Sequence, residues 1–109
     1  MKPIYTTNIL GDKIWFLNGK FHREDGPSVE WLSGNKYWYK HGNLHREDGP
    51  AIEYANGDKE WWLNGERHRA DGPAMTFANE HKVWYYHGKW INCKDNQQFL
   101  RIIKLMIFL

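Results

Sequence analysis

The stretch that decides the fold runs Pro50-Ala51-Ile52-Glu53-Tyr54-Ala55-Asn56-Gly57-Asp58-Lys59-Glu60-Trp61-Trp62-Leu63. The dipeptide Asn56-Gly57 stands between two aromatic-rich runs. It is the strongest short-range signal of a β-hairpin, because a type I′ turn needs a positive φ at both central residues. We therefore predict a hairpin with a two-residue turn, in which Glu53 lies opposite Glu60 and Ile52 lies opposite Trp61.

This hairpin is one copy of a unit that returns every 23 residues over most of the chain. A unit of this kind cannot bury its apolar face alone and gains stability by stacking on its neighbours. We interpret three of the periodic series as structural. They are Trp15, Trp38, Trp61 and Trp84; His22, His45 and His68; and Asp25, Asp48 and Asp71. The rest of each copy, for example residues 64–73, is rich in turn signals and is predicted to be a connector.

The predicted register divides the residues between two faces of a sheet. One face carries the tryptophan series with Val29, Ile52 and Met75, and we interpret it as the packed face. The other face carries Glu53 directly opposite Glu60, an arrangement that is tolerated in water or against a basic partner. We therefore expect this second face to be exposed.

The two ends of the chain differ from the repeat. Asp95 is suited to cap a helix whose apolar residues are Phe99, Ile102, Ile103 and Met106. The sequence thus predicts a single all-β domain of tandem antiparallel β-hairpins, stacked into an elongated single-layer sheet with a short C-terminal helical cap. Residues 1–10 form a degenerate N-terminal strand in this prediction, residues 11–93 about four repeats, and residues 94–109 the cap.

The spacing of Trp62, Gly65 and His68 resembles the W-x-x-G-x-x-H pattern of the MORN repeat, whose period is also 23. The chain is closer to a MORN-like variant, N-G-x-x-H-R-x-D-G-P-A, found in proteins of phages, large DNA viruses and some bacteria. Residues 18–28, 41–51 and 64–74 carry that core, with His41 in place of the first asparagine. The resemblance covers residues 11–93 and implies stacked hairpins with a role in scaffolding, dimerisation or lipid contact. Two glycines of the MORN pattern are replaced, one of them by Arg23, Arg46 and Arg69.

Composition excludes several classes of protein. The chain has 15 basic and 13 acidic residues and a net charge of +2, without long runs of one sign, which argues against a dedicated polyanion binder. Cys93 is the only cysteine, so neither an intramolecular disulfide nor a cysteine-based zinc site is expected. The N-terminus lacks the apolar core of a signal peptide. We expect a soluble cytoplasmic protein, located in the host-cell cytoplasm if the chain is viral.

The repeated His-Arg-x-Asp could be read as a general base with its orienting carboxylate. An active site needs one converging arrangement, whereas a residue present in every copy usually serves the copy. Equivalent histidines would stand ~9.6 Å apart, two strand spacings, while zinc ligands lie ~2 Å from the metal. We therefore expect no enzyme activity, no metal and no cofactor.

We expect a non-catalytic protein-binding module, by analogy an inhibitor of a host defence protein if it comes from a phage or virus. Its partner is expected to carry a basic patch. The predicted binding residues are Tyr37, Tyr39, Glu53, Glu60, Trp62 and Tyr85. One alternative is a structural protein that self-associates, for example as a homodimer, with peripheral membrane contact through the terminal helix. The other is binding of single-stranded nucleic acid on the aromatic side chains, which the nearby glutamates disfavour.

Overall fold

A computed structural model describes residues 2–108, which form fourteen β-strands and one α-helix. In chain order they are β1 (Ile4–Thr7), β2 (Lys13–Leu17), β3 (Lys20–Phe21), β4 (Val29–Glu30), β5 (Lys36–Tyr37), β6 (Tyr39–Lys40), β7 (Asn43–Leu44), β8 (Ile52–Glu53), β9 (Lys59–Glu60), β10 (Trp62–Leu63), β11 (Glu66–Arg67), β12 (Met75–Thr76), β13 (Lys82–Tyr86), β14 (Lys89–Ile91) and α1 (Asn96–Ile107). The described residues span 47 × 32 × 17 Å. This elongated, thin shape confirms the predicted all-β hairpin array.

The strands pair antiparallel and largely follow chain order. The main sheet runs β1-β2-β4-β5-β8-β9-β12-β13-β14, with β3 paired to β2, while β6–β7 and β10–β11 form two-stranded sheets. Backbone hydrogen bonds join the small hairpins of successive copies. Gly65 N donates to the Leu44 carbonyl at 2.9 Å, and Arg46 N donates to the Trp62 carbonyl at 3.1 Å. These small hairpins therefore form a second row beside the hairpins of the main sheet.

The turn between β8 and β9 is longer than predicted. Gly57 N donates to the Tyr54 carbonyl at 3.0 Å, Tyr54 N donates to the Asp58 carbonyl at 2.9 Å, and Gly57 has φ +99°. This is a three-residue loop in which a type I turn is followed by a glycine bulge. Glu53 consequently pairs with Lys59, and Ile52 pairs with Glu60. The predicted register was wrong by one residue, and such a slip moves every side chain of one strand to the other face.

The type I′ turn lies in the segment predicted to be a connector. Asn64 and Gly65 both have positive φ, +49° and +79°, and Leu63 pairs with Glu66 across them. The other copies have the same turn at residues 18–19, 41–42 and 87–88. The connector prediction was therefore wrong: this part of each copy is a second hairpin.

The helix closes the array as predicted. Asp95 Oδ1 accepts a hydrogen bond from Gln98 N at 2.8 Å, and Phe99 and Ile103 pack in one cluster with Trp84 and Ile91. Among residues 2–108, no helix has the length and apolar character needed to cross a bilayer. The predicted terminal segments also include Met1 and Leu109, which lie outside the described residues.

Candidate interaction surfaces

In three copies the arginine of the repeated Arg-x-Asp-Gly-Pro segment lies over the tryptophan of the same copy, a contact that we call the clamp. The guanidinium carbons of Arg23, Arg46 and Arg69 lie 3.9, 4.1 and 4.1 Å from the ring centroids of Trp15, Trp38 and Trp61. Each arginine also donates Nε to the aspartate two residues later, at 2.9–3.1 Å, and Nη1 to the proline carbonyl four residues later. The hydrogen bond from Arg23, together with its charge, lowers the pKa of Asp25. The clamp holds a cation against an indole face, a favourable contact.

The same clamp explains the glycine that follows each of these aspartates. A Cβ added at Gly26, Gly49 or Gly72 would lie 2.8, 2.9 or 3.0 Å from the Cζ atom of the clamping arginine. These glycines do not have a positive φ. A Cβ at these positions would displace the clamped guanidinium, so the repeated letters of the unit are accounted for mostly by its own folding.

The repeated histidines connect each copy to the next. Nδ1 of His22, His45 and His68 accepts a hydrogen bond at 2.7–2.9 Å from the first residue of the following type I′ turn, namely His41, Asn64 and His87. An imidazole that accepts at Nδ1 is neutral and carries its proton on Nε2. Burial, and secondly the charge of His87, lower the pKa of His68. The lone pair that a general base would need is thus committed to the backbone.

One side of the sheet is lined with aromatic rings. Because paired residues share a face, the register places Ile14, Val29, Tyr37, Ile52, Glu60, Met75 and Val83 on this side. Strand alternation adds Trp31, Tyr39, Tyr54, Trp62 and Tyr85. The rings of Tyr37 and Tyr39 are 6.2 Å apart, and those of Tyr37 and Tyr54 are 6.3 Å apart. We call this side the aromatic face. The helix packs on the opposite side, against Trp84.

A largely buried charge pair lies on the aromatic face in the third repeat copy, residues 57–79, when the copies are counted from residue 11. The Glu60 carboxylate accepts hydrogen bonds from Arg67 Nη2 at 3.0 Å, Trp62 Nε1 at 3.1 Å and Tyr54 Oη at 2.7 Å. The Arg67 guanidinium lies between two rings, with Cζ 4.8 Å from the Trp62 centroid and 4.9 Å from that of Tyr85. Burial and the bond to Glu60 raise the pKa of Tyr54. These contacts join the aromatic and charged side chains into one hydrogen-bonded and stacked group.

The opposite side of the sheet carries a ladder of alternating charges, and we call it the charged face. Its cross-strand neighbours, in order, are Lys13, Glu30, Lys36, Glu53, Lys59, Thr76 and Lys82. Each glutamate of the ladder therefore has a lysine on both sides. Arg46 Nη1 also reaches Glu53 Oε1, at 3.4 Å. Opposite charges directly across a strand pair stabilise it.

The predicted binding residues do not share one exposed face. Tyr37, Tyr39, Trp62 and Tyr85 lie half-buried on the aromatic face, and their role in binding stays a prediction. Glu60 is only 7% exposed, and Glu53 lies on the charged face. The tryptophan series, placed by the sequence with Val29 and Ile52, also lies on the charged face. These corrections share one cause, the extra residue in the first turn.

Sequence reasoning missed several residues that the structure uses. Arg67 lies in the segment predicted to be a connector, and no pattern distinguishes it because the other copies have different residues there. A second omission had a signal. Asp12, Asn35 and Asp58 follow the first-turn glycine of their copies, and each side chain accepts a hydrogen bond from the backbone N–H twenty residues later, at 2.7–2.8 Å. The 23-residue spacing of these three residues could have revealed that link between copies.

Two further observations bear on function. Within residues 2–108, no three His, Cys, Asp or Glu side chains come together as a metal site. Burial, and secondly the charge of Asp95, raise the pKa of the Cys93 thiol, which lowers its reactivity. Comparisons of the chain with protein-family models, with curated proteins and with solved structures give no match. A function is therefore best inferred from the two faces themselves.

Proposed function

We propose that this chain is a non-catalytic protein-binding module that contacts its partner through the aromatic face. The observation that carries the proposal is the stack formed by Trp62 and Arg67 of the third copy with Tyr85 of the fourth. Tryptophan, tyrosine and arginine are the residues most enriched at binding hot spots, and hot spots lie near the centre of an interface. The third copy is an interior copy of the array, so this stack meets both conditions.

The rigidity of the stack favours binding. Trp62 Nε1 and Arg67 Nη2 are both held by Glu60, so these side chains are already ordered before a partner arrives. Ordering long side chains at an interface costs on the order of 1 kcal/mol each. Because these side chains are already ordered in the folded chain, less side-chain entropy is lost on binding and the affinity for the partner is higher.

The repeated histidines and aspartates support a role without catalysis. Each histidine supplies Nδ1 to the next copy, and each aspartate holds the arginine clamp. A residue that makes the same contact in every copy serves the architecture, and this use explains the His-Arg-x-Asp pattern without an active site.

The nature of the partner follows less directly. The resemblance to variant repeats of phage and viral proteins supports the proposal that the partner is a host protein, by analogy a defence protein. The expectation of a basic partner was based on Glu53 and Glu60. Both carboxylates already contact cations of the chain, Glu53 beside Arg46 and Glu60 beside Arg67, so these two residues give no support for a basic partner.

The test of the proposal is Trp62→Ala, with Phe16→Ala as the matched control. Phe16 holds the same position in the first copy and is also half-buried on the aromatic face. A partner is first identified by affinity capture from host lysate with mass spectrometry, and its affinity for the purified variants is then measured. A central tryptophan contributes about 2 kcal/mol or more, so Trp62→Ala should bind roughly 30-fold more weakly than Phe16→Ala. Equal affinities of two folded variants would contradict the proposal.

Self-association is a second candidate, favoured by the exposed apolar residues near β1. Ile4, Ile9 and Leu10 are 71%, 101% and 68% exposed, and β1 lies at the edge of the main sheet. An exposed strand edge can pair with a second chain. Size-exclusion chromatography with light scattering tests self-association, because a chain that remains monomeric at high concentration does not self-associate. Liposome sedimentation tests the peripheral membrane contact expected of α1, whose Phe108 end is exposed.

A further inference from the structure

The charge ladder of the charged face is interrupted at one position. Thr76 pairs directly with Lys59 on one side and with Lys82 on the other. In the two preceding copies the equivalent residues are Glu30 and Glu53, each also between two lysines. The position at Thr76 thus keeps both flanking cations, Lys59 of the third copy and Lys82 of the next, and lacks the carboxylate between them.

Glu53 shows what occupies this position in a complete copy. Its carboxylate lies across from Lys36 and Lys59, and its Oε1 atom is 3.4 Å from Arg46 Nη1. One arginine therefore contacts this acidic side chain and two lysines flank it in the register, while the side chain remains 36% exposed to solvent. The site is open to a group that arrives from outside the sheet.

The third copy presents its arginine in the same pose. Arg69 donates Nε to Asp71 at 3.1 Å and Nη1 to the Pro73 carbonyl at 3.1 Å, and its Cζ lies 4.1 Å from the Trp61 centroid. The corresponding distances for Arg46 are 3.0, 3.0 and 4.1 Å. The two clamps match, and Arg69 precedes Thr76 by seven residues as Arg46 precedes Glu53.

We propose that the position at Thr76 binds an acidic side chain, Asp or Glu, of a protein partner. The incoming carboxylate lies between Lys59 and Lys82, beside Arg69, where the other copies place their own glutamate. This inference rests on the proposed function, since it assumes that the chain binds a protein, and it adds a second contact on the face opposite the aromatic one. A protein segment that passes around the thin sheet can reach both.

The chemistry of the site favours a carboxylate over a neutral group. Hydrogen bonds between ionised partners are shorter and about twice as strong as neutral ones. The two lysines are exposed, so the attraction is screened by salt and falls as ionic strength rises above about 0.1 M. Binding at this position should therefore depend on salt, whereas contacts on the aromatic face should depend on it little.

The experiment titrates the folded chain with a capped Gly-Glu-Glu-Gly peptide at low ionic strength and follows the backbone amides by NMR. The expected result is a chemical-shift change centred on Lys59, Thr76 and Lys82, and none with Gly-Gln-Gln-Gly. Thr76→Glu supplies the missing carboxylate from within and should weaken peptide binding roughly tenfold or more. Thr76→Gln, similar in size and uncharged, is the matched control and should retain binding.

A gain-of-site variant completes the test. Glu53→Thr recreates the same arrangement in the second copy, so a second peptide should bind there, between Lys36 and Lys59. Equal binding to the Thr76→Glu and Thr76→Gln variants, or no new site in Glu53→Thr, would overturn the inference. Binding of inorganic phosphate without binding of the peptide would also overturn it, because the site would then be one for free anions. Loss of partner affinity in Trp62→Ala together with full affinity in Thr76→Glu would leave the proposed function standing and refute this site alone.

Discussion

Glu60 and Arg67 allow the energetic role of the third copy to be measured, because other copies have apolar residues at both positions. The equivalents are Ile14 and Phe21 in the first copy and Tyr37 and Leu44 in the second. Glu60→Ile removes the only carboxylate that the structure places on Arg67 and leaves Tyr54 Oη and Trp62 Nε1 without their acceptor. We expect this single substitution to destabilise the chain strongly.

The magnitude follows from burial. Removing one partner of a fully buried ion pair costs about 3–5 kcal/mol. The Glu60 side chain is 10% exposed and Arg67 is 27% exposed, so the abandoned guanidinium can partly recover its hydration. We therefore expect Glu60→Ile to cost about 2–3 kcal/mol of unfolding free energy. Replacing both partners removes the unpaired group, so the double variant with Arg67→Leu should lose about 1 kcal/mol or less.

Urea unfolding followed by tryptophan fluorescence and by circular dichroism provides the measurement, and unchanged slopes justify comparing midpoints. The two single variants and the double variant form a thermodynamic cycle. The coupling between Glu60 and Arg67 should be favourable and larger than 1 kcal/mol. A Glu60→Ile variant within about 0.5 kcal/mol of the parent, or a double variant whose loss equals the sum of the singles, would refute the reasoning.

Two further predictions concern the turns and the links between copies. Glu80 has φ +72° where other copies have glycine, so Glu80→Gly should raise the unfolding free energy by about 0.5–1 kcal/mol, and the reverse change Gly57→Glu should lower it, by calorimetry. A loss of stability in Glu80→Gly would contradict the strain at this turn. Burial and the charge of His87 lower the pKa of His68 from its usual 6.5 in the folded chain. As the pH falls, His68 is therefore protonated in the unfolded chain before it is protonated in the folded chain. Its contribution to the unfolding free energy is complete above about pH 6.5 and is lost as the pH falls through the lowered pKa of the folded state. Urea midpoints at about pH 7.5 and 5.5 should differ less in His68→Gln, and an unchanged difference would contradict the prediction.

Much of the fold was predictable because it is set by local and periodic signals. The 23-residue period shows that the copies stack, and the Asn56-Gly57 dipeptide indicates a hairpin whatever its loop length. The helix was predictable from Asp95 as cap and from the spacing of Phe99 and Ile103, which form its buried side. These features depend on residues close together in the chain.

The register was not predictable from the same signals. The dipeptide Asn-Gly occurs both at residues 56–57 and at residues 64–65, and of these two only the one at residues 64–65 forms a type I′ turn. At residues 56–57, a single added loop residue places Lys59, instead of Glu60, opposite Glu53. The alternative register would place Glu60 opposite Glu53, and like charges directly across a strand pair are unfavourable. This conflict becomes apparent only when the strands are placed side by side. The contents of the two faces depended on this choice of register.

The departures from the repeat point to function more clearly than the repeat itself. The repeated tryptophan, histidine and arginine contact one another or the next copy, so the recurrence of the tryptophan in four copies and of the histidine and arginine in three is explained by folding. The third copy departs at Glu60 and Arg67 on the aromatic face and at Thr76 on the charged face, although apolar residues or glutamate fit these positions elsewhere in the array. A buried ion pair contributes little net stability compared with apolar residues of similar volume, and an interrupted charge ladder forgoes a favourable pairing. Folding alone would favour neither change, and both are accounted for if the third copy is the part of the array that meets a partner.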